Sequence, residues 1–278
     1  MKKILLLVLT IITLSIDTNA QSSKDIINKA ISSMSAANSY KYTFISKERI
    51  NGSYVEATLE TKLVKSPLKI YLNNTAGPNK GKELLYVKGT NSNKVLINTF
   101  INVSMSPFNS LIRKGNHYTI LEVGFGRVTS ILIGARKRAS LEASFDKVFT
   151  YAGTVTFDGK QCYKIIINDP TFHYINYTVK NGESTYDIAI RLNVSEQLII
   201  EKNNLSGFNS AKDGMVLKIP SSYAKKSILY IDKSNYHAIY QEMHDDKSIY
   251  EKYKFLSLKI NPSFASDEFS EDNSKYDF

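Results

Sequence analysis

One cysteine, Cys162, occurs in 278 residues. A lone thiol closes no internal disulfide, so an exported chain of this size must be held together by its own hydrophobic core. Free cysteine usually packs as a small hydrophobe, and Cys162 is expected to lie buried in a strand rather than to act as a nucleophile. Long apolar runs are as scarce. The stretch 4–16 is too short to span a bilayer comfortably, and no run of about 18 apolar residues follows it. Residues 1–20, MKKILLLVLTIITLSIDTNA, join Lys2 and Lys3 to an apolar core and end in Thr18-Asn-Ala20, the pattern of a cleaved signal peptide. No cysteine stands near that site, which gives no support to an N-terminal lipid anchor. The mature chain is expected to be periplasmic or secreted, with no transmembrane segment.

Dense basic runs are also missing. The net charge is +10, and removal of Lys2, Lys3 and Asp17 with the signal takes it to +9. Such an excess suits an acidic partner, either an anionic wall polymer or lipid head groups. Export argues against nucleic acid, and the even spread of lysines also fits a generally solvated basic surface.

Catalytic motifs fail inspection one by one. ILEVGFGRVTSILI (120–133) imitates the strand, glycine turn and helix of a nucleotide site. Thr129, however, replaces the third glycine, and no alternation of strands and helices surrounds it, so a plain strand-to-helix turn is expected. GPNKGKE (77–83) is one residue short of a phosphate loop, with Glu83 where a hydroxyl should hold magnesium. His237, Glu242, His244, Asp245 and Asp246 lack metal-ligand spacing. There is no Gly-x-Ser-x-Gly elbow and no Cys/His pair in sensible context. These residues imply no enzyme, no cofactor and no metal.

Strands and a few helices fill the chain. Ile26, Ile27, Ala30, Ile31 and Met34 recur at helical spacing behind Ser22 or Ser23, which predicts a helix over about 23–37. In SYVEATLETKLV, Val55, Ala57, Leu59, Thr61 and Leu63 alternate with polar residues, and Asn51-Gly52 makes a hairpin with KYTFISKERI. PLKIYLN, ELLYVKG and KVLINTF continue the strands. A second helix is expected over about 128–149, with Ile131, Leu132, Ala135, Ala139, Leu141 and Phe145 near one side. Strands over about 150–157 and 161–168 meet at Asp158-Gly159, and SILYID, HAIYQEMHD and SIYEKYKFLSLKI close the series. This is an α+β chain built on antiparallel hairpins. The acidic, serine-rich tail after Pro262 is expected to fray, with 271–278 flexible.

Residues 177–220 break the pattern. Tyr177-Thr-Val179 is a short strand, and Gly182-Glu-Ser184 turns into a helix whose apolar face is Ile188, Ala189 and Leu192. Asn193 ends that helix. Ser195 caps a second one, with Leu198 and Ile199 inward, which closes at Asn203-Asn204 before Gly214 leads to a strand ended by Pro220. This βααβ order, with Tyr186-Asp-Ile-Ala189, Val194-Ser195, Asn203-Asn-Leu205 and Leu217-Lys-Ile-Pro220 at these offsets, closely resembles the LysM domain. The resemblance implies binding of N-acetylglucosamine polymers, chiefly peptidoglycan, in a shallow groove between two loops. The corresponding residues are Gly182, Glu183, Ser184 and Thr185 in one loop and Phe208, Asn209, Ser210, Ala211 and Lys212 in the other. Backbone groups at a helix start can pair with acetamido groups, and an apolar wall can cover a sugar face. Thr185 stands where that family usually has an apolar residue, and Ser210-Ala211 replace a bulkier pair.

With 177–220 removed, the flanks close into continuous hairpin sequence. The remainder, 21–176 and 221–270, resembles the exported lipoprotein-carrier superfamily (LolA/LolB-like) and an uncharacterised bacterial family within it. The late LYIDK, YQEMHD and YEKYKFLSLKINP hairpins carry that resemblance. It implies a curved antiparallel half-barrel sheet with covering helices, whose concave apolar face can shelter lipid or lipoprotein acyl chains. Phe44, Ile70, Leu84, Tyr86, Leu96, Ile131 and Ile165 are candidates to line such a cavity, although each is better suited to an ordinary core, since a sheet packed on helices needs the same residue types.

Overall fold

The computed structural model describes residues 22–98, 100–141 and 145–278. The expected signal peptide at 1–20 lies outside these residues. Helix α1 (Ser23–Ala36) starts where Ser22 accepts a hydrogen bond from the Asp25 amide, and it buries the expected Ile26, Ile27, Ala30, Ile31 and Met34. Among the described residues, eight strands and three α-helices then precede the region around 177: β1 (Ser39–Ile50), β2 (Ser53–Lys65), β3 (Leu68–Ala76), β4 (Glu83–Val87), β5 (Val95–Ile97), β6 (Val103–Met105), α2 (Ser110–Arg113), α3 (Gly126–Leu141), α4 (Phe145–Val148), β7 (Phe149–Phe157) and β8 (Lys160–Asn168). Next come β9 (Tyr174–Thr178), α5 (Thr185–Leu192), α6 (Glu196–Lys202) and β10 (Val216–Pro220). The chain closes with β11 (Lys226–Asp232), β12 (Ala238–His244) and β13 (Ile249–Ile260).

Among the described residues, eleven strands form one open antiparallel sheet in the order β6-β5-β4-β3-β2-β1-β13-β12-β11-β8-β7. Its register follows the alternation. Tyr40, Tyr42 and Phe44 stand opposite Leu63, Thr61 and Leu59, so the apolar set of β2 meets the inward set of β1. Asn51 and Gly52 both adopt positive φ, as a two-residue hairpin turn requires. Helices α1 and α3 cover the inner face and complete the main core. Cys162 is fully buried there, and burial pushes its thiol up to about 11.

Three expectations need correction. Residues 120–122 form a 3-10 turn closed by a Thr119/Glu122 capping box, not a strand. The glycine that follows is fixed by crowding: Gly124 has φ +98, and a Cβ there would come 2.6 Å from Leu63 Cδ2. Leu96 does not face the concave side; it joins Tyr71 and Leu85 on the outer face. Nor does the tail at 271–278 fray, because it covers that outer patch. Tyr276 stacks on Tyr71 with centroids 3.8 Å apart. Lys62 sits 4.9 and 4.8 Å from the two rings and pairs with Glu268, and the Asp277 amide donates to Glu83. Composition alone misled here, since two aromatic residues outweigh the surrounding acids. Tyr276→Ala should therefore destabilise the protein by about 2 kcal/mol in denaturant titration; an unchanged midpoint would show that the tail adds nothing.

Candidate functional site

Strands β8 and β11 pair directly, with Asn168 opposite Lys226. Everything from 169 to 225 therefore replaces a hairpin turn. Its neck is tied by the Ser221 amide donating to the His173 carbonyl and the His173 amide donating to Ser221 Oγ. Beyond the neck, β9 and β10 form a separate two-stranded sheet, and α5 and α6 pack on it. The helix caps act as expected, whereas Leu192, expected on the apolar face of α5, is exposed. Ser184 caps α5, accepting from the Asp187 amide while Asp187 accepts from the Ser184 amide. Asn193, at φ 53, ends α5, and Ser195 caps α6. Asn203 bonds Lys218 in both directions, at 2.8 Å each, and so closes α6 against β10. Val179, Ile188, Ala189, Val194, Ile199, Leu217 and Ile219 make a second, small core.

The two predicted groove loops do meet. The Gly182 amide donates to Asp213 Oδ1 at 2.9 Å, and Thr185 Oγ1 lies 2.7 Å from the Phe208 carbonyl. Thr185 is fully buried, with its hydroxyl 2.6 Å from Glu196 Oε1. Glu183 is engaged by its own neighbours, Tyr177 and Arg191. Ser210 bonds Ser206, and Ala211 packs on the small core. Gly182, Asn209 and Lys212 remain exposed.

The host covers the other end of this groove, with residues that carry no site signal in the sequence. Arg113, at the end of α2, places its guanidinium 3.6 Å from the Phe208 ring centroid and donates to Glu196 Oε2 at 2.5 Å, with its side chain 1% exposed. Phe108 lies edge-on to Tyr186, with centroids 5.0 Å apart. A single arginine in a short polar segment carries no local signal of this partnership, which exists only after folding.

Segment 113–127 is itself anchored on two carboxylates. Glu48 and Glu251 stand directly opposite each other on β1 and β13. His117 bridges them: Glu48 accepts from its amide at 2.9 Å, and its Nδ1 lies 2.8 Å from Glu251 Oε1. Its Nε2 faces the Arg49 carbonyl at 2.9 Å. Both ring nitrogens meet acceptors, which only the imidazolium satisfies. Burial alone would depress His117, but the Glu48 charge, the Glu251 hydrogen bond and charge, and the Arg49 carbonyl outweigh it and raise it to about 9. Tyr253 donates to Glu48, and the Tyr118 and Tyr223 hydroxyls lie within hydrogen-bond reach of Glu251 and of each other, sharing two protons among three contacts.

The residues of β12 and its turn that lacked metal-ligand spacing have partners of their own. His237 is buried beside Tyr40, His244 and Lys252 pair with Glu242, and Asp245 pairs with Arg49. No group of three metal-ligating side chains occurs among the described residues. Of the concave-face candidates, Ile70, Tyr86, Ile131 and Ile165 lie inside the main core, and Phe44 and Leu84 pack against it. A cleft of about 640 Å³ opens where β2, the start of β3, segment 121–127, α3 and the end of α5 meet, with Leu63 and Phe125 of the main core in its wall.

An open antiparallel half-barrel with covering helices, interrupted at one hairpin by a LysM domain, defines the class of this protein. The chain belongs to the family described as "Protein of unknown function (DUF1571)", which matches residues 37–198. The LysM domain family matches 177–220. No curated protein matches the chain. Among solved structures it is similar to MucB, at 10% identity and a TM-score of 0.44, covering 89% of this chain and 62% of that one, so the chain spans under two thirds of MucB. The lipoprotein LppX from Mycobacterium tuberculosis gives 12% identity and a TM-score of 0.44, covering 87% and 97%. A LolA superfamily protein from Nitrosomonas europaea gives 8% and 0.35, covering 90% and 98%.

The His117 anchor makes stability depend on pH. A histidine whose pKa rises from 6.5 to about 9 on folding contributes fully below 6.5, and that contribution is lost as pH climbs through 9. Glu48, raised by burial, opposes alkaline pH in the same direction. Wild-type stability should fall by about 3 kcal/mol between pH 6.5 and 9. The His117→Gln variant should start lower and show a shallower slope. Denaturant titrations at stepped pH measure both, and a flat wild-type profile would refute the assignment.

Proposed function

We propose that this is an exported, non-enzymatic cell-envelope protein that binds N-acetylglucosamine-containing glycan, peptidoglycan above all, through its LysM domain. The observation that carries the reading is the intact βααβ unit with both groove loops in contact and one lip exposed at Gly182, Asn209 and Lys212. Because Arg113 and Phe208 close the opposite end, the sugar docks at this lip, where the loop backbone and the Asn209 side chain offer hydrogen bonds and Lys212 adds charge. The mature protein is periplasmic or secreted, and the excess positive charge draws it to an anionic wall. Residues 21–176 and 221–270 act as a discontinuous host that holds the module.

The alternative, a carrier of lipid or lipoprotein acyl chains in which the LysM domain is structural only, is weaker. Four of its seven cavity candidates are no more than 6% exposed and are packed in the main core, so these residues do not line an open cavity. Co-sedimentation with purified peptidoglycan separates the two readings. Wild type should pellet with the polymer, and Asn209→Ala combined with Lys212→Glu should weaken retention by about fivefold, the equivalent of one hydrogen bond. Wild type left in the supernatant sinks the glycan reading.

A further inference from the structure

The turn GPNKGK (77–82), which is no phosphate loop, lies beside the two most exposed large apolar side chains among the described residues. Phe100 is 104% exposed, as open as in an extended chain, and its neighbour Ile101 is 73% exposed. Both sit at the tip of the β5–β6 hairpin, and the base of that hairpin is fixed. The Asn98 backbone amide donates to the Glu83 carbonyl at 3.1 Å, while Asn98 Oδ1 accepts from the Glu83 amide at 2.5 Å. The Asn98 side-chain amide reaches the Gly81 carbonyl at 3.3 Å, which ties the hairpin to the turn. The turn is closed in its own right by the Gly81 amide on the Asn74 carbonyl at 2.8 Å and the Lys82 amide on the Asn79 carbonyl at 3.0 Å. A fixed frame thus presents Phe100 and Ile101 to solvent next to the exposed Lys80 and Lys82. Glu83 is buried and takes the Asp277 amide, and the exposed Asp277 leaves the two lysines in excess.

Strand register shows which end of the sheet this is. Ile50 opposite Ser53, Asn73 opposite Glu83, Ile97 opposite Val103, and His244 opposite both Lys226 and Ile249 close their turns at the same end. Asn168 opposite Lys226 puts the neck of the LysM domain there too. Area and charge decide what fits the apolar tip. A second copy meeting it tip to tip across a two-fold axis brings both copies of Lys80 and Lys82 together, which opposes association. A protein partner requires about 800 Å² on each side, whereas Phe100 and Ile101 offer at most about 400 Å². A bilayer accepts a small protrusion: an apolar side chain enters among the acyl chains while adjacent lysines meet lipid phosphates. The positive excess of the whole chain acts in the same direction.

We propose that this end of the sheet docks on an anionic phospholipid bilayer, with Phe100 and Ile101 inserted below the head groups and Lys80 and Lys82 on the phosphates. Membrane docking is independent of glycan binding, and either can fail alone.

The chain contains no tryptophan, so Phe100→Trp in the mature protein is a single fluorescent reporter. With vesicles of equal parts phosphatidylglycerol and phosphatidylcholine, its emission should shift to the blue and be quenched by lipids brominated on the upper acyl carbons. Lys88→Trp, at an exposed position beyond the far end of β4, should keep its emission unchanged. Wild type should co-sediment with the same vesicles. Phe100→Ser combined with Ile101→Ser should weaken retention by about tenfold or more, and Lys80→Ala combined with Lys82→Ala by about tenfold. All four side chains are exposed, so both double variants should keep the wild-type denaturation midpoint, which separates lost docking from unfolding. Wild type left in the supernatant overturns the proposal, as does full retention of the Phe100→Ser, Ile101→Ser variant or a blue shift at position 88 rather than 100. Equal retention of wild type on pure phosphatidylcholine also overturns it, because the lysines then read no lipid charge.

Discussion

Two carboxylates facing each other across adjacent strands are a constraint the sheet cannot satisfy by itself. Glu48 and Glu251 are 5% and 0% exposed, and like charges directly opposite repel. The protein resolves this with a cation from a loop, so His117 must be where it is for the sheet to close. That requirement fixes segment 113–127 over the inner face, with Tyr118 and Tyr223 completing the hydrogen bonds of Glu251. Tyr223 follows the inserted module directly and Arg113 precedes His117, so one buried charge cluster sets the position of both the host loop and the returning chain.

The module is docked through α6. Leu198 belongs to the host core and its neighbour Ile199 to the small core, so one short helix is shared by two hydrophobic clusters. Around it, Arg49 bridges Glu201 and Asp245 at 2.7 and 2.5 Å, and Arg113 bridges Glu196. Buried ion pairs are weak evidence of net stability, because desolvation offsets much of their attraction. Their effect here is on orientation: moving the module away would part Glu201 from Arg49 and Glu196 from Arg113, while Arg49 would keep Asp245. A tethered module on a loose linker has no such cost, and this one is held at a fixed angle to the cleft beneath it.

Much of this was legible in advance, and the reason is local chemistry. Alternation along 53–65 predicts which face of β2 is buried, and Ser184, Asn193, Ser195 and Asn203 mark helix ends because each bonds backbone within a few residues. What was not legible depends on residues far apart in sequence. The Arg113–Glu196 pair joins positions 83 apart, His117 and Glu251 are 134 apart, and the tail reaches Tyr71 across most of the chain. Leu96 was assigned to the wrong face for a related reason, since a three-residue strand carries too few alternations to fix its side.

The oddest local feature of the module then has a physical cause. Thr185 replaces an apolar residue, and a buried hydroxyl needs a partner. It finds Glu196, which in turn is neutralised by Arg113, whose guanidinium lies on Phe208. Thr185, Glu196, Arg113 and Phe208 form one connected polar and aromatic chain running from the module into the host. An apolar side chain at 185 would leave Glu196 with one oxygen unmet and weaken the case for burying Arg113. The departure from the LysM pattern is thus what an exposed groove wall requires once it becomes an interface, and only the lip at Gly182, Asn209 and Lys212 stays open to solvent.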